Sequence, residues 1–211
     1  MEELVQLIER GLLTNLILES RHPKEPVVVV KRPTPWEIVG TGNYEAVFAH
    51  PAYSDYVVKV YAPGRQGLWE ETEVYKMLGK HPAYSECFHA GDSYLVLKRL
   101  RGVTLFNCLK KGIKIPKHVI EDIDNALDYA RERGLHPHDV HGKNVMIADG
   151  RGVVLDVSDF LKQEDCAMWE DLKKAYYRYY VPVMLRRPFP LPYFMVDLIR
   201  KGYRKFRKKK S

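Results

Sequence analysis

Three polar residues stand in the pattern D-x-H-x-x-N directly before an apolar run, and this spacing could support proton transfer beside a metal ion. They are Asp139, His141 and Asn144. A loop carboxylate can accept the proton of an attacking hydroxyl, and the amide oxygen of an asparagine that follows can bind a divalent cation. A second acid, Asp156, follows after a short hairpin. Because a hairpin brings its strand ends side by side, we expect Asn144 and Asp156 to share one metal ion.

A lysine lies in the middle of an apolar strand sequence, where an unpaired ammonium would be costly. Lys59 is at the centre of YVVKVY, residues 56–61, and it therefore needs an anionic partner. The next helical segment, residues 68–78, offers three candidates, and spacing favours the middle one: Glu70, Glu71 and Glu73. The competing interpretation is a solvated acidic helix face beside a lysine on the open side of an edge strand.

Two glycines separated by one residue lie between predicted strands upstream of this lysine. In Gly40-Thr41-Gly42 the backbone can bend tightly and bring N–H groups close to a phosphate. Taken alone, such a pair is most often only a turn. The order of the motifs along the chain, with the turn first, then the lysine, the acidic helix and the polar loop, favours a phosphate site.

The elements that must position these residues change in character along the chain. Short β-branched or aromatic runs predict an antiparallel meander over 27–30, 36–39, 44–49 and 56–61, followed by a helix at 68–78 and strands at 86–90 and 94–97. An amphipathic helix, interrupted near Gly11, is predicted before them over residues 2–18.

The second half of the chain is predicted to be mainly helical. Helices are expected at 117–133, 167–181 and 194–207, and a hairpin with strands at 144–148 and 152–157 turns at Asp149-Gly150-Arg151.

In order and spacing, these motifs resemble those of the eukaryotic-like protein kinase superfamily over residues 36 to about 181. The resemblance implies an α+β, two-lobed protein-kinase-like fold, in which a small antiparallel β-sheet lobe with one helix precedes a reduced, mainly helical second lobe. The implied domains are an N-terminal helix and strand extension (1–35), an N-lobe (36–97), a C-lobe (98–193) and a basic C-terminal helix and tail (194–211).

The same resemblance implies a role for each candidate residue. Asp139 would be the catalytic base, with Lys59 and His141 as further catalytic residues, and Asn144 and Asp156 would hold Mg²⁺. ATP would be bound by a set of loop, strand, helix and hinge residues: Gly40, Thr41, Gly42, Val47, Lys59, Glu71, Leu97 and Leu100.

Several departures from the family pattern bear on the substrate. Glu45 stands at the third glycine of the loop, Pro137-His138 replaces the usual His-Arg, and His141 replaces a lysine, as in aminoglycoside and choline kinases. The metal motif is Asp156-Val157-Ser158, and no peptide-docking segment follows it. In these features the chain is similar to small atypical kinases: the RIO type, the minimal kinase of the KEOPS complex, aminoglycoside kinases and short bacterial serine/threonine kinases.

The expected activity is ATP- and Mg²⁺-dependent transfer of a phosphoryl group to a hydroxyl, with protein Ser/Thr as acceptor. Two alternatives stay open: a small-molecule kinase of the aminoglycoside or choline type, and a nucleotide-binding regulatory module or slow ATPase that contacts RNA or a ribosomal particle. His136, His138 and His141 match part of a zinc-hydrolase motif, but the acid that this motif needs is Val140 here.

The excess of basic residues lies at the end of the sequence. The net charge of +7 comes from 34 basic and 27 acidic residues, and residues 200–210 contain eight of the basic ones and no acid. This tail could be a docked helix with solvated charges, or it could contact RNA or an anionic membrane surface. The three cysteines form no CxxC pair, and neither a signal-peptide pattern nor an apolar membrane span is evident, so we expect a cytoplasmic protein.

Overall fold

The structure, a computed structural model, describes residues 1–22, 25–192 and 194. The basic tail at 200–210 lies outside the described residues, as does the helix predicted at 194–207 apart from Phe194. The chain forms two compact units. The first contains Met1–His81, Ser85–Leu100 and Ser158–Leu161, and the second contains Pro82–Tyr84, Arg101–Val157 and the described residues from Lys162 onward.

The first unit begins with helix α1 (Glu2–Leu7), which continues as a π-helical segment, Ile8–Leu13. Three leucine and isoleucine side chains on one side are buried, as the amphipathic pattern predicts: Leu4, Ile8 and Leu12. The predicted helix to residue 18 is too long, because strand β1 (Ile17–Glu19) follows.

The predicted meander is wrong in its first member. Strand β2 (Val28–Lys31) pairs with β1 in a separate two-stranded sheet. Pro33 and Pro35 follow β2, and proline removes the backbone donor that a sheet ladder needs, so β2 does not continue into the next strand as a hairpin.

The main sheet of the first unit has five antiparallel strands in the order β3-β4-β5-β7-β6. These strands agree with the predictions to within one or two residues: β3 (Glu37–Thr41), β4 (Glu45–Ala49), β5 (Tyr56–Tyr61), β6 (Cys87–Ala90) and β7 (Tyr94–Lys98). Helix α2 (Leu68–Leu78) connects β5 to β6 and has the predicted bounds.

The two faces of this sheet have different partners, since side chains alternate along a strand. One face packs with α1 and the π-helical segment into an apolar core that includes Trp36, Phe48, Val58, Val60 and Val96. The opposite face carries Lys59.

The second unit combines a three-stranded antiparallel sheet with helices. After β8 (Val103–Thr104) come α3 (Leu105–Lys111), α4 (Lys117–Glu132), β9 (Val145–Ala148), β10 (Arg151–Val154) and α5 (Met168–Ala175). A π-helical turn, Tyr176–Tyr180, and α6 (Val181–Met184) complete it. The sequence patterns predict α4, β9, β10 and the helical stretch from α5 through the π-helical turn. They do not predict β8, α3 or α6, and α6 includes Pro182, just beyond the end of the predicted helix.

Helix α4 lies directly against the hairpin that carries the candidate metal ligands. A Cβ atom added to Gly152 would lie 2.2 Å from the carbonyl oxygen of Val119, so only glycine allows β10 to approach α4 this closely. The backbone N–H of Gly152 also donates to Asp122 at 2.9 Å.

The observed architecture is α+β with antiparallel sheets and several helices, as predicted at that level, and it is compatible with a kinase-like fold. Among the described residues, the structure contains no helix whose length and apolar character would let it cross a membrane.

Candidate functional site

Lys59 is buried on β5 and is held by a carboxylate from α2. Its Nζ atom donates to both oxygens of Glu71, at 2.9 Å and 2.7 Å. Lys59 is 5% exposed and Glu71 is 1% exposed, so the pair is taken out of water and depends on mutual contact. Of the three glutamates that the sequence offers, Glu71 is the one that pairs with Lys59.

Tyr61 strengthens this pair from the next inward-facing position of β5. Its hydroxyl donates a short hydrogen bond to Oε2 of Glu71. Burial raises the pKa of Tyr61 far above its ordinary value, an effect that Lys59 opposes and the negative charge of Glu71 reinforces. Tyr61 therefore stays protonated and remains a donor.

A second carboxylate, that of Glu45, also lies beside Lys59. Glu45 begins β4, directly opposite Tyr61 in the sheet, and its Oε1 is 3.7 Å from Nζ of Lys59. That distance is an ion-pair contact, longer than a hydrogen bond. The sequence shows Glu45 only as a missing glycine, whereas the register of β4 against β5 puts it on the face of Lys59.

The glycine turn joins β3 to β4 above this cluster. The backbone N–H of Gly42 donates to the carbonyl of Glu45 at 2.8 Å, and Gly40 pairs with Val47, which in turn pairs with Lys59. A Cβ atom added to Gly40 would meet nothing within 4 Å. The space over Gly40 is therefore open, whereas the carboxylate of Glu45 lies close to Gly42.

The remaining nucleotide candidates of the first unit lie along the same region of the sheet. Thr41 ends β3 and is exposed. Leu97 is buried on β7, and the register of β5 against β7 puts its side chain on the same face of the sheet as Lys59. Leu100 is half-buried just after β7, at the last residue of this stretch before the chain enters the second unit.

In the second unit, the polar loop before β9 has an unusual backbone conformation. Asp139 has a φ of +54°, a left-handed conformation that aspartate and asparagine tolerate better than most residues. The side-chain N–H of Asn144 donates to the carbonyl oxygen of Asp139 at 3.1 Å. This bond is made by the amide nitrogen of Asn144 and does not involve Oδ1.

His141 lies beside the carboxylate of Asp139, with 3.8 Å between Nε2 and Oδ2. Its other ring nitrogen, Nδ1, is buried, and it makes no hydrogen bond within the part of the chain that the structure describes. The loop therefore brings the predicted base and the predicted histidine together.

The hairpin brings Asn144 and Asp156 to corresponding positions. Val145 pairs with Val154, and the N–H of Leu155 donates to the carbonyl of Asn144 at 2.8 Å, so Asp156 follows directly after the residue that faces Asn144. An amide oxygen and a carboxylate are hard oxygen donors of the kind that Mg²⁺ prefers, and this donor set fits Mg²⁺. No cluster of three or more histidine, cysteine, aspartate or glutamate side chains suited to a metal occurs in residues 1–22, 25–192 and 194.

Comparison with known proteins identifies the family. No protein-family model matches the chain. The chain is, however, 33% identical over 171 residues to the Putative serine/threonine-protein kinase YrzF of Bacillus subtilis (strain 168), across 80% of this chain and 79% of that protein. The chain belongs to this protein-kinase-like family. It is also 24% identical over 83 residues to the Serine/threonine-protein kinase KSP1 of Saccharomyces cerevisiae, which is 37% of this chain and 8% of that protein.

Family membership agrees with the resemblance at the level of the kinase superfamily. The finer likeness to the RIO, KEOPS and aminoglycoside kinases stays a prediction. Within the first unit the structure brings Gly40, Val47, Lys59, Glu71 and Leu97 to one side of the main sheet, and within the second it brings Asp139, His141, Asn144 and Asp156 to one end of a hairpin.

Two residues of the cluster around Lys59 were not predicted from the sequence as its neighbours. Tyr61 is two residues beyond Lys59 on the same strand, so strand alternation was an available signal. Glu45 could be found only through the register of β4 against β5.

Proposed function

We propose that this chain binds ATP together with Mg²⁺ and transfers the γ-phosphoryl group to a Ser/Thr hydroxyl of a protein. The observation that carries the proposal is the buried Lys59–Glu71 pair. A buried ammonium is costly to maintain, and apolar residues would stabilise this part of the sheet at least as well. A lysine fixed by a glutamate in this way is suited to hold a polyphosphate.

The residues of the first unit would bind the nucleotide. Lys59 would contact phosphate oxygens, and Glu71 and Tyr61 would fix the position of its Nζ atom. The glycines of the turn at Gly40, Thr41 and Gly42 would let the backbone approach the phosphates closely. Val47, Leu97 and Leu100 supply apolar side chains for the base. A preformed cationic contact of this kind lowers the barrier because no reorganisation is needed during the reaction.

The residues of the second unit would carry out the proton transfer and the metal binding. The acceptor oxygen forms a bond to the γ-phosphorus, the bond from that phosphorus to the bridging oxygen breaks, and ADP leaves. The proton of the acceptor hydroxyl passes to a carboxylate oxygen of Asp139, which His141 helps to orient. Asn144 and Asp156 would hold Mg²⁺, which neutralises charge that develops on the phosphate oxygens.

The substitution Asp139→Asn tests the role of the base. It removes the proton acceptor but retains a residue that tolerates a positive φ, so the loop should keep its conformation. Phosphate transfer from labelled ATP should fall by about 100- to 10,000-fold, while ATP binding measured by calorimetry in the presence of Mg²⁺ should remain.

Asp149→Asn is the matched control for this experiment. Asp149 is an exposed aspartate at the hairpin turn and also has a positive φ, of +48°, so the same chemical change is made in the same backbone conformation. This variant should transfer phosphate at the wild-type rate. Near-normal turnover by Asp139→Asn would contradict the assignment of the base.

A second candidate function is phosphorylation of a small molecule. It is favoured by the short stretch between Asp156 and α5, in which residues 157–167 contain no helix or strand that could form a peptide platform, and by His141 beside Asp139. Comparison of labelled transfer to protein acceptors with transfer to sugar or amino-alcohol acceptors separates the two. Hydrolysis of ATP without transfer to either class would favour the nucleotide-binding module or slow ATPase instead.

Two further parts of the proposal concern location and partners. A cytoplasmic location is supported by three free cysteines, since such thiols are usual in a reducing compartment. Contact of the tail at 200–210 with RNA or another anionic surface is supported by its run of basic residues, and such binding would weaken steeply as the salt concentration rises.

A further inference from the structure

We propose that the carboxylate of Glu45 competes with phosphate for Lys59, and that ATP must displace this carboxylate to bind. This inference rests on the proposed function, because it assigns Lys59 to a phosphate. It adds a competing anion that belongs to the chain itself.

The two carboxylates beside Lys59 are not equivalent. Glu71 makes two hydrogen bonds to Nζ, accepts a third from Tyr61 and is almost fully buried. Glu45 makes the longer contact of 3.7 Å, and its side chain is 11% exposed, against 1% for Glu71. Glu45 is therefore the carboxylate that can leave, while Glu71 remains with Lys59.

The glycine turn is shaped to hold Glu45 in this position. A Cβ atom added to Gly42 would lie 2.3 Å from Oε1 of Glu45, so the side chain of Glu45 folds back towards the turn and its carboxylate lies against Gly42. The carboxylate consequently lies between the turn and Lys59, where an incoming phosphate would need the same cation.

Electrostatics make this arrangement a barrier to nucleotide binding. A carboxylate and a phosphate a few ångströms apart, near a buried lysine, repel each other strongly because water screens them little. Either Glu45 rotates away from Lys59 when ATP binds, or ATP binds weakly. In both cases the charge of Glu45 lowers the affinity for phosphates but not for adenosine.

Glu45→Gln tests the proposal, because it removes the charge and keeps the shape. Calorimetric titration of the full chain with MgATP should show affinity about tenfold higher than wild type. Affinity for adenosine, which has no phosphate, should change by less than about twofold, since the effect acts through charge on the phosphate.

Two further variants make the test specific. Glu37→Gln removes one carboxylate from the start of β3, at an exposed position at the far end of this strand from the turn. It should leave MgATP affinity within about twofold of wild type. Glu45→Asp keeps the charge but draws it back by one methylene group, and it should raise MgATP affinity by a smaller factor. It also provides the measurement if Glu45→Gln does not fold.

The outcomes separate this inference from the proposed function. Unchanged or weaker MgATP binding by Glu45→Gln and Glu45→Asp would overturn the inference alone, as would an equal gain in affinity for adenosine. No MgATP binding by wild type or by any of these variants would overturn both the inference and the proposed function.

Discussion

The buried charges of Lys59 and Glu71 neutralise each other. With both side chains almost fully buried and Tyr61 donating to the same carboxylate, removal of either partner leaves a charge with little access to water. Removal of one partner should therefore lower the free energy of unfolding. The presence of the pair does not show that it stabilises the fold more than two apolar residues would.

Lys59→Met should destabilise the chain by about 3 kcal/mol, because it leaves the buried negative charge of Glu71 without its cation. Lys59→Met combined with Glu71→Gln should recover most of that loss, since neither buried group is then charged. Denaturant unfolding monitored by circular dichroism measures both effects.

ATP binding distinguishes structural from functional roles in the same two variants. If Lys59 holds a phosphate, the double variant regains stability but still fails to bind MgATP. Restored binding together with restored stability would show that Lys59 serves the fold alone.

The residue-scale predictions from the sequence succeeded where one short stretch determined the outcome. The need of Lys59 for an anion follows from its apolar neighbours, and helix spacing favoured Glu71 over Glu70 and Glu73. The contact with Glu45 could not be predicted in this way, because it depends on the register between two strands that residues 50–55 separate in sequence.

At the scale of elements, β10 and α4 depend on the absence of a side chain at Gly152. Gly152→Ala should lower the free energy of unfolding by about 2 kcal/mol, because the new methyl group meets the backbone of Val119, which cannot rotate away. The midpoint of denaturant unfolding measures this loss.

Gly40→Ala is the control for Gly152→Ala. Its added methyl group would meet nothing within 4 Å, and stability should stay within about 0.5 kcal/mol of wild type. An equal loss in both variants would show that the cost comes from backbone freedom and that the close approach to α4 is unimportant.

The sequence predicted long or strongly patterned elements more reliably than short ones. Strand β5 and helix α2 were predicted with their observed bounds, because an apolar run and a helical spacing with clear breaks define them. Helix α3 was missed although Thr104 caps it through the N–H of Asn107 at 3.2 Å and Gly112 ends it with a φ of +65°. Its seven residues are too few for a helical period to stand out.

The pairing of β1 with β2 was missed for a different reason. The valine run at 27–30 was correctly predicted as a strand, but the identity of its partner depends on a non-local contact with Ile17–Glu19. Strand propensity indicates that a segment pairs, and it does not indicate which segment it pairs with.

At the scale of the whole molecule, buried tyrosines make stability sensitive to high pH. Burial is the leading cause that raises the pKa of five of them, to about 12 for Tyr94, and the five are Tyr61, Tyr84, Tyr94, Tyr176 and Tyr180. In the unfolded chain these hydroxyls ionise near pH 10, while in the folded chain they stay protonated. Their contribution to stability is therefore complete below about pH 10 and is lost as the pH rises towards the folded pKa values.

The free energy of unfolding should accordingly fall between pH 10 and pH 12, by up to about 1.4 kcal/mol per pH unit for each such tyrosine. Tyr84→Phe should make this fall less steep, although it also removes the hydrogen bond from Tyr84 to the carbonyl of Ala126 and so lowers stability at pH 8. Tyr179→Phe, at an exposed position, should leave the slope unchanged. A slope that Tyr84→Phe does not alter would contradict the assignment.

The contact of Tyr61 and Lys59 with Glu71 has a consequence for control of the protein. Movement of α2 away from the sheet would separate a buried carboxylate from both of its partners at once. A displaced position of this helix is therefore high in free energy, and the helix is poorly suited to switch the activity on and off. A catalyst with that design would need no signal to bring this helix into place. Its output would be set by its abundance and by whether its reactants reach the concentration needed to displace Glu45.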